Sequence, residues 1–181
     1  MDESEVVRRC QNGDQEAFRL IVERYSGVLG GTAYLMTRDR AQVDDLLQET
    51  FLLAWRGIGT LRASGNLKAW LVRILVNKVI SERRKKRVME AELVEVESKA
   101  GDSNSEELVL ADEERQRIRG ALETLPEAQR QVTVLRYFAD LTIPEVARVL
   151  GCREGTVKSR LHRALAQLRT VLQSETVQAS L

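Results

Sequence analysis

The stretch from Thr142 to Leu161 constrains the fold more than any other part of the chain. Ala147 is small where two helices must cross closely, and Gly151, four residues on, tolerates the left-handed conformation that reverses a chain. Val157 follows as a branched anchor for the returning helix. Thr142, Pro144 and Glu145 supply the start of the first helix: a cap, a first-turn proline and a glutamate that reaches back in a capping box. Small residue, turn glycine and branched anchor at these spacings predict a helix-turn-helix.

The second of these helices has two distinct sides on a helical wheel. Val157, Leu161, Leu165, Leu168 and Leu172 fall on one side; Ser159, His162, Arg163 and Ala166 fall broadly opposite, flanked by Lys158 and Arg160. A helix that reads duplex DNA needs an apolar back and a front of donors with small gaps. Arg and Lys bond guanine edges or phosphates, Ser bonds either, and Ala admits a close backbone approach. An ordinary amphipathic surface helix is the bland alternative, and the complete turn pattern disfavours it. His162, the one histidine, lacks partners for a metal site, and its place on the reading face suits a base or phosphate contact.

Charge along the 181 residues is segregated, although the net charge is only +1. Nine cations between Arg62 and Arg87 face one acid, Glu82; ten carboxylates between Glu90 and Glu114 face Lys99 alone; and positive charge prevails again from Arg153 to Arg169. Two basic surfaces joined by an acidic connector suggest nucleic acid as the partner. With aromatics at 4% and only two prolines, apolar content is largely Leu, Val, Ile and Ala, which favours helix-on-helix packing. Cys10 and Cys152 are far apart without metal-ligand spacing, and Cys152 is expected to pack as a small buried residue. No signal peptide or apolar run of ~20 residues is apparent, so a cytoplasmic protein without membrane insertion is expected.

The N-terminal half reads as three helices. Asp14 is the expected cap, followed by Phe18, Ile21, Val22, Tyr25, Val28 and Leu29 at helical spacing; Gly27, Gly30 and Gly31 weaken or bend this helix or let a neighbour approach. A second helix from about 40 to 55 turns Val43, Leu46, Leu47, Thr50, Phe51 and Ala54 inward. A third spans about 67 to 87, with Trp70, Leu71, Ile74, Leu75 and Val79 as its apolar stripe. Residues 61–66 form a loop by composition, and Gly101 to Ser105 is the clearest linker pattern. The fold class is therefore all-α: two small helical domains, 1–87 and 113–173, joined by a flexible acidic linker, 88–112, and followed by a tail, 174–181.

Several of these blocks resemble one known family. Leu125-Pro126, Gln129 to Val132, Leu135 to Phe138 and Gly155 to Ala164 closely resemble region 4 of bacterial sigma factors. Asp14 to Phe18, Asp44 to Phe51 and Lys68 to Lys78 resemble region 2. The two matches span nearly the whole chain apart from linker and tails, and the chain is too short for the additional domains of larger sigma factors. The resemblance thus implies the extracytoplasmic-function group.

The resemblance implies a protein that binds core RNA polymerase, directs it to promoters and promotes melting, without enzymatic activity or cofactor. It implies a region 2 bundle for core and −10 element binding, and a region 4 helix-turn-helix for the −35 element. Asp45, Gln48 and Glu49 would dock on the polymerase clamp. Arg62, Ser64, Asn66, Trp70, Arg73, Asn77, Lys78, Ser81 and Arg84 would meet the −10 element, with the 61–66 loop capturing a flipped base and Trp70 either core or stacked on the strand. Relatives often carry Phe near positions 61 and 67, where Leu stands here. Arg136, Thr156, Lys158, Ser159, His162 and Arg163 would meet the −35 element. Partners would be core polymerase, promoter DNA and an anti-sigma factor, with no small-molecule substrate. Extended at ~3.3 Å per residue, the linker would bridge promoter elements ~70 Å apart when both domains are engaged, and its acids would mimic nucleic acid in a basic channel of the polymerase.

A helix-turn-helix regulator that is not a sigma factor is the main rival reading; the region 2 blocks speak against it. No phosphate-binding glycine loop, nucleophile–base pair or carboxylate cluster with metal spacing supports an enzyme.

Overall fold

A computed structural model describes residues 2–61, 66–92 and 109–178, with side chains at 90, 91, 92, 109–113 and 174–178 outside the description. Every regular element among the described residues is helical. The chain divides into two compact units, Met1–Lys99 and Ala100–Leu181.

The first unit holds α1 (Glu3–Gln11), α2 (Gln15–Thr37), α3 (Val43–Gly57), a 3₁₀ turn (Ile58–Thr60) and α4 (Leu67–Glu92). Asp14 caps α2 as expected, accepting from the Ala17 amide at 3.1 Å. From that start Ala17, Ile21, Tyr25, Leu29, Ala33 and Met36 are buried in successive turns. The glycines do not interrupt α2, which runs unbroken to Thr37. Gly30 instead permits close packing: a Cβ there would stand 3.4 Å from Leu47 Cδ1 on α3. On α3, Leu46, Thr50 and Ala54 are buried, while Val43, Leu47 and Phe51 are half-buried. Phe18 meets Trp55 and Phe51 edge-on, with ring centroids 5.1 and 6.4 Å away.

The core of this unit is α4. Leu71, Val72, Leu75, Val76 and Val79 are buried, each stabilising the fold by roughly 1.5–3 kcal/mol. α4 continues to Glu92, beyond the expected end near Arg87, because no Gly or Pro interrupts the sequence there. Helix likewise resumes at Val109, so both ends of the expected 88–112 linker are helical, and the segment between lies outside the described residues.

The second unit holds α5 (Val109–Glu123), α6 (Glu127–Thr133) running into a π-helical turn (Val134–Phe138), α7 (Ile143–Leu150) and α8 (Glu154–Gln178). Thr142 and Glu145 form the capping box ahead of α7, and Gly151 takes φ 62°, ψ 35° to end it. The Cys152 amide donates to Ala147 O at 3.0 Å and closes the turn. Val157 is fully buried, as its anchoring role demands.

Three expectations are corrected. Leu165 is exposed, and the stripe of α8 that packs runs through Val157, Leu161 and Ala164, because each step of four residues drifts across the face by ~40°. Cys152 is half-buried; Cys10, on α1, is the buried thiol. α8 also extends past 173 into the expected tail.

Candidate nucleic-acid interfaces

α4 presents a polar face opposite its packed stripe. Trp70, Arg73, Asn77, Ser81 and Arg84 recur at three- and four-residue steps, so they share one side of the helix. Arg73, Asn77, Ser81 and Arg84 are exposed. Trp70 is half-buried: a Cβ on Gly57 would lie 3.4 Å from its Cζ2, while the indole also lines an open groove of about 460 Å³. Leu53 and Ile74 supply apolar lining there, and Asn77, Lys78 and Ser81 supply polar groups. A shallow apolar floor with amide, hydroxyl and ammonium at its rim suits an unstacked base next to phosphate.

Two of the expected −10 contacts are tied into the protein itself. The Asn66 side-chain oxygen accepts from Ala69 N at 3.0 Å and caps α4. Lys78, only 21% exposed, pairs with Glu49 on α3 and lies 3.1 Å from Glu82. Arg62 and Ser64 lie outside the described residues.

On α3, Asp45, Gln48 and Glu49 are exposed on the side away from Leu46, Thr50 and Ala54. The structure therefore brings the expected docking strip together, but Glu49 leans to α4 and Lys78. Sequence reasoning missed this link, and it also missed Gln11, whose amide on α1 bonds the carbonyls of Ile58 at 3.1 Å and Leu61 at 2.8 Å. It missed Arg83 as well, which donates to Met36 O at the end of α2. No local pattern announces any of these pairings, because the partners sit on different helices.

In the second unit, Lys158, Ser159, His162 and Arg163 are exposed on α8, opposite Val157, Leu161 and Ala164. Ser159 Oγ donates to Thr156 O at 3.0 Å, and Thr156 is half-buried at the first turn of the helix. Arg136 lies on the π-helical turn and not on α8. Its guanidinium donates to Leu141 O at 3.3 Å, lies 3.9 Å from Asp140 and sits 5.6 Å from the Tyr137 ring centre. Arg136 thus braces the loop that enters α7, where Asp140 holds the left-handed φ of 52°.

Both units have counterparts in known proteins. Residues 21–88 match the family model described as Sigma-70 region 2, and residues 115–168 match Sigma-70, region 4. The chain is 34% identical over 171 residues to the ECF RNA polymerase sigma-E factor of Salmonella typhimurium, covering 88% of each protein. The sigma-E factor of Escherichia coli (strain K12) matches to the same extent. The RNA polymerase sigma-H factor of Pseudomonas aeruginosa is 29% identical over 181 residues, covering 94% of each. Among solved structures, CnrH in complex with the cytosolic domain of CnrY matches with a TM-score of 0.71 at 27% identity, over 95% of this chain and 97% of that one. The sigma factor RpoE in complex with the anti-sigma factor NepR from Bartonella quintana matches with a TM-score of 0.69 at 29% identity, over 86% and 96%.

Proposed function

Because the chain belongs to the extracytoplasmic-function group of RNA polymerase sigma factors, we propose that its two units divide promoter recognition between an α4 strand-binding face and an α8 duplex-reading face. As a sigma factor the protein acts in transcription initiation, binding core RNA polymerase and directing it to promoters, and is not an enzyme by itself.

The observation that carries the division of labour is the matched polarity of two helices. Each buries an apolar stripe in its own unit and turns a row of donors to solvent: Arg73, Asn77, Ser81 and Arg84 on α4, and Lys158, Ser159, His162 and Arg163 on α8. The α8 row enters the major groove of the −35 element, with Arg163 and His162 at base edges or phosphates. The α4 row holds the phosphates of the opened −10 strand, and the groove beside Trp70 takes a base out of the stack. Lys78 stays at the rim of that groove, steered by Glu49 and Glu82. Arg62 and Ser64 join from the preceding loop, Asn66 acts by capping α4, and Arg136 acts by bracing the approach to α7.

Asp45 and Gln48, with Glu49 at their edge, dock on the polymerase clamp as an acidic and polar strip. Strand separation is then driven by binding energy alone, with no covalent step. Residues 1–87 serve core and −10 binding, 113–173 serve −35 binding, and 88–112 connect them. An anti-sigma factor completes the set of partners, a reading supported by the anti-sigma complex of the RpoE relative. A cytoplasmic location follows from these partners, and no described helix is long and apolar enough to cross a membrane.

Transcription in vitro with core polymerase and this protein on a promoter library tests the reading. Promoter-specific transcripts that depend on the protein are expected. Folded protein and active core that give no such transcript overturn it and leave a duplex-binding regulator.

A further inference from the structure

Gln11 is the last residue of α1, and its side-chain amide is spent on another part of the chain. Nε2 lies 3.1 Å from Ile58 O and 2.8 Å from Leu61 O. These carbonyls bracket the 3₁₀ turn, inside which the Leu61 amide also donates to Ile58 O at 3.1 Å. Ile58 and Leu61 are both buried, so the turn is seated in the first unit from below and tied to α1 from the side.

α1 is itself fixed without help from Gln11. Tyr25 Oη on α2 donates to Glu3, Arg9 lies 2.7 Å from Asp14, and Val6, Val7 and Cys10 are buried. The helix is therefore a post against which the turn is clamped. The clamped turn matters because Gly57 and Thr60 line the groove together with Trp70, Asn77 and Ser81. Thr60 Oγ1 donates to Gly57 O at 2.7 Å, so these two residues of the groove lining are bonded to each other.

We propose that Gln11 is a positioning residue for strand capture: by clamping the Ile58–Leu61 turn, it sets the spacing between the Gly57–Thr60 wall and Trp70. The spacing decides whether an unpaired promoter base fits the groove. The assignment rests on reading the α4 face as the strand-binding surface. A carboxamide suits the task because one neutral nitrogen offers two donors to two carbonyls. Glutamate has the same shape but turns acceptors toward acceptors; methionine keeps the length and bonds neither.

The test uses holoenzyme assembled from core polymerase and the full chain carrying Gln11→Glu or Gln11→Met. Three affinities are measured: for a single-stranded −10 oligonucleotide, for a −35 duplex and for core. The rate of promoter opening is followed separately from initial binding. Strand affinity and opening rate are expected to fall about tenfold, the size expected from two neutral hydrogen bonds, and further in Gln11→Glu. Affinities for the −35 duplex and for core remain at the unsubstituted level. Unsubstituted strand affinity and opening rate in both variants overturn the proposal. A parallel loss of core affinity in both variants also overturns it, since Gln11 would then only maintain the unit. If the unsubstituted holoenzyme itself has no affinity for the strand, the strand-binding reading fails and takes this proposal with it.

Discussion

Lys78 on α4 and Glu49 on α3 form an ion pair that ties the candidate strand-binding helix to the helix carrying the docking strip. The same ammonium lies 3.1 Å from Glu82, one turn further along α4. Hydrogen bonds from Lys85 and from Lys78 hold the Glu82 carboxyl below its ordinary value. Glu49 is 49% exposed, and a pair so placed is worth at most about 1 kcal/mol. Its effect is therefore to orient Lys78 and partly neutralise it, and it contributes little to stability.

Salt dependence separates Lys78 from its neighbours. In holoenzyme binding to a −10 strand, Arg73→Ala is expected to reduce the slope of log affinity against log salt by about 0.7, the value for one phosphate contact on single-stranded DNA. Lys78→Met is expected to change that slope by less than half as much, because two carboxylates already compensate its charge. An equal reduction in both variants means that Lys78 abandons Glu49 for phosphate in the complex.

Two further substitutions act on different partners. Arg163→Ala on α8 is expected to weaken −35 duplex recognition by about 1–3 kcal/mol with core affinity retained. Asp45→Ala on α3 is expected to weaken core binding while affinity of the chain for −35 duplex is retained. Unchanged core affinity after Asp45→Ala removes α3 from the docking surface.

Glycine substitutions in the second unit should have opposite signs. Gly151 holds φ 62°, so Gly151→Ala is expected to destabilise the unit by about 1–2 kcal/mol. Gly120 is exposed within α5 and a Cβ there meets nothing within 4 Å. Gly120→Ala is expected to stabilise by up to about 1 kcal/mol, through helix propensity and a narrower unfolded ensemble. Thermal unfolding of the two variants gives both signs directly.

Alkylation reports whether α1 stays docked. Burial, with Asp14 close by, pushes the Cys10 thiol above its ordinary 9.0, so the reactive thiolate is scarcer near neutral pH and becomes available only as pH rises past that shifted value. Cys152 is half-buried at the turn after α7. At pH 8 a thiol reagent followed by mass spectrometry is expected to label Cys152 first and Cys10 only in denaturant. Equal rates would show that α1 opens readily.

Most of the architecture is legible in the sequence. The Asp14 cap, the Thr142–Glu145 capping box and the left-handed Gly151 are each governed by groups within a few residues, and each occurs where the local chemistry demanded it. Periodicity located the α2, α3 and α4 cores in the same way. It fails at Leu165, where apolar spacing of four predicts burial but the drift of the helix turns that side chain to solvent. The candidate sites were legible as residue types on faces: Trp70, Arg73, Asn77 and Ser81, or Ser159, His162 and Arg163. Which of the basic and polar groups are already engaged was not. Asn66 is spent on a cap, Arg136 on Leu141 O, and Lys78 on Glu49.

By itself the sequence determined two helical units, a helix-turn-helix in the second and the order of their blocks. Caps, turn glycines and apolar periods act over a few residues, so their outcome is written locally. Only the tertiary structure decided that Gln11 clamps the turn at Ile58 and Leu61, 47 and 50 residues away, and that Arg83 reaches Met36 O, also 47 residues away. Amides, guanidinia and ammonium groups are common along this chain, and each has many partners it can reach in an unfolded state. Packing of the apolar stripes removes that choice, because it fixes which helix ends and carbonyls come within 3 Å or so of each donor.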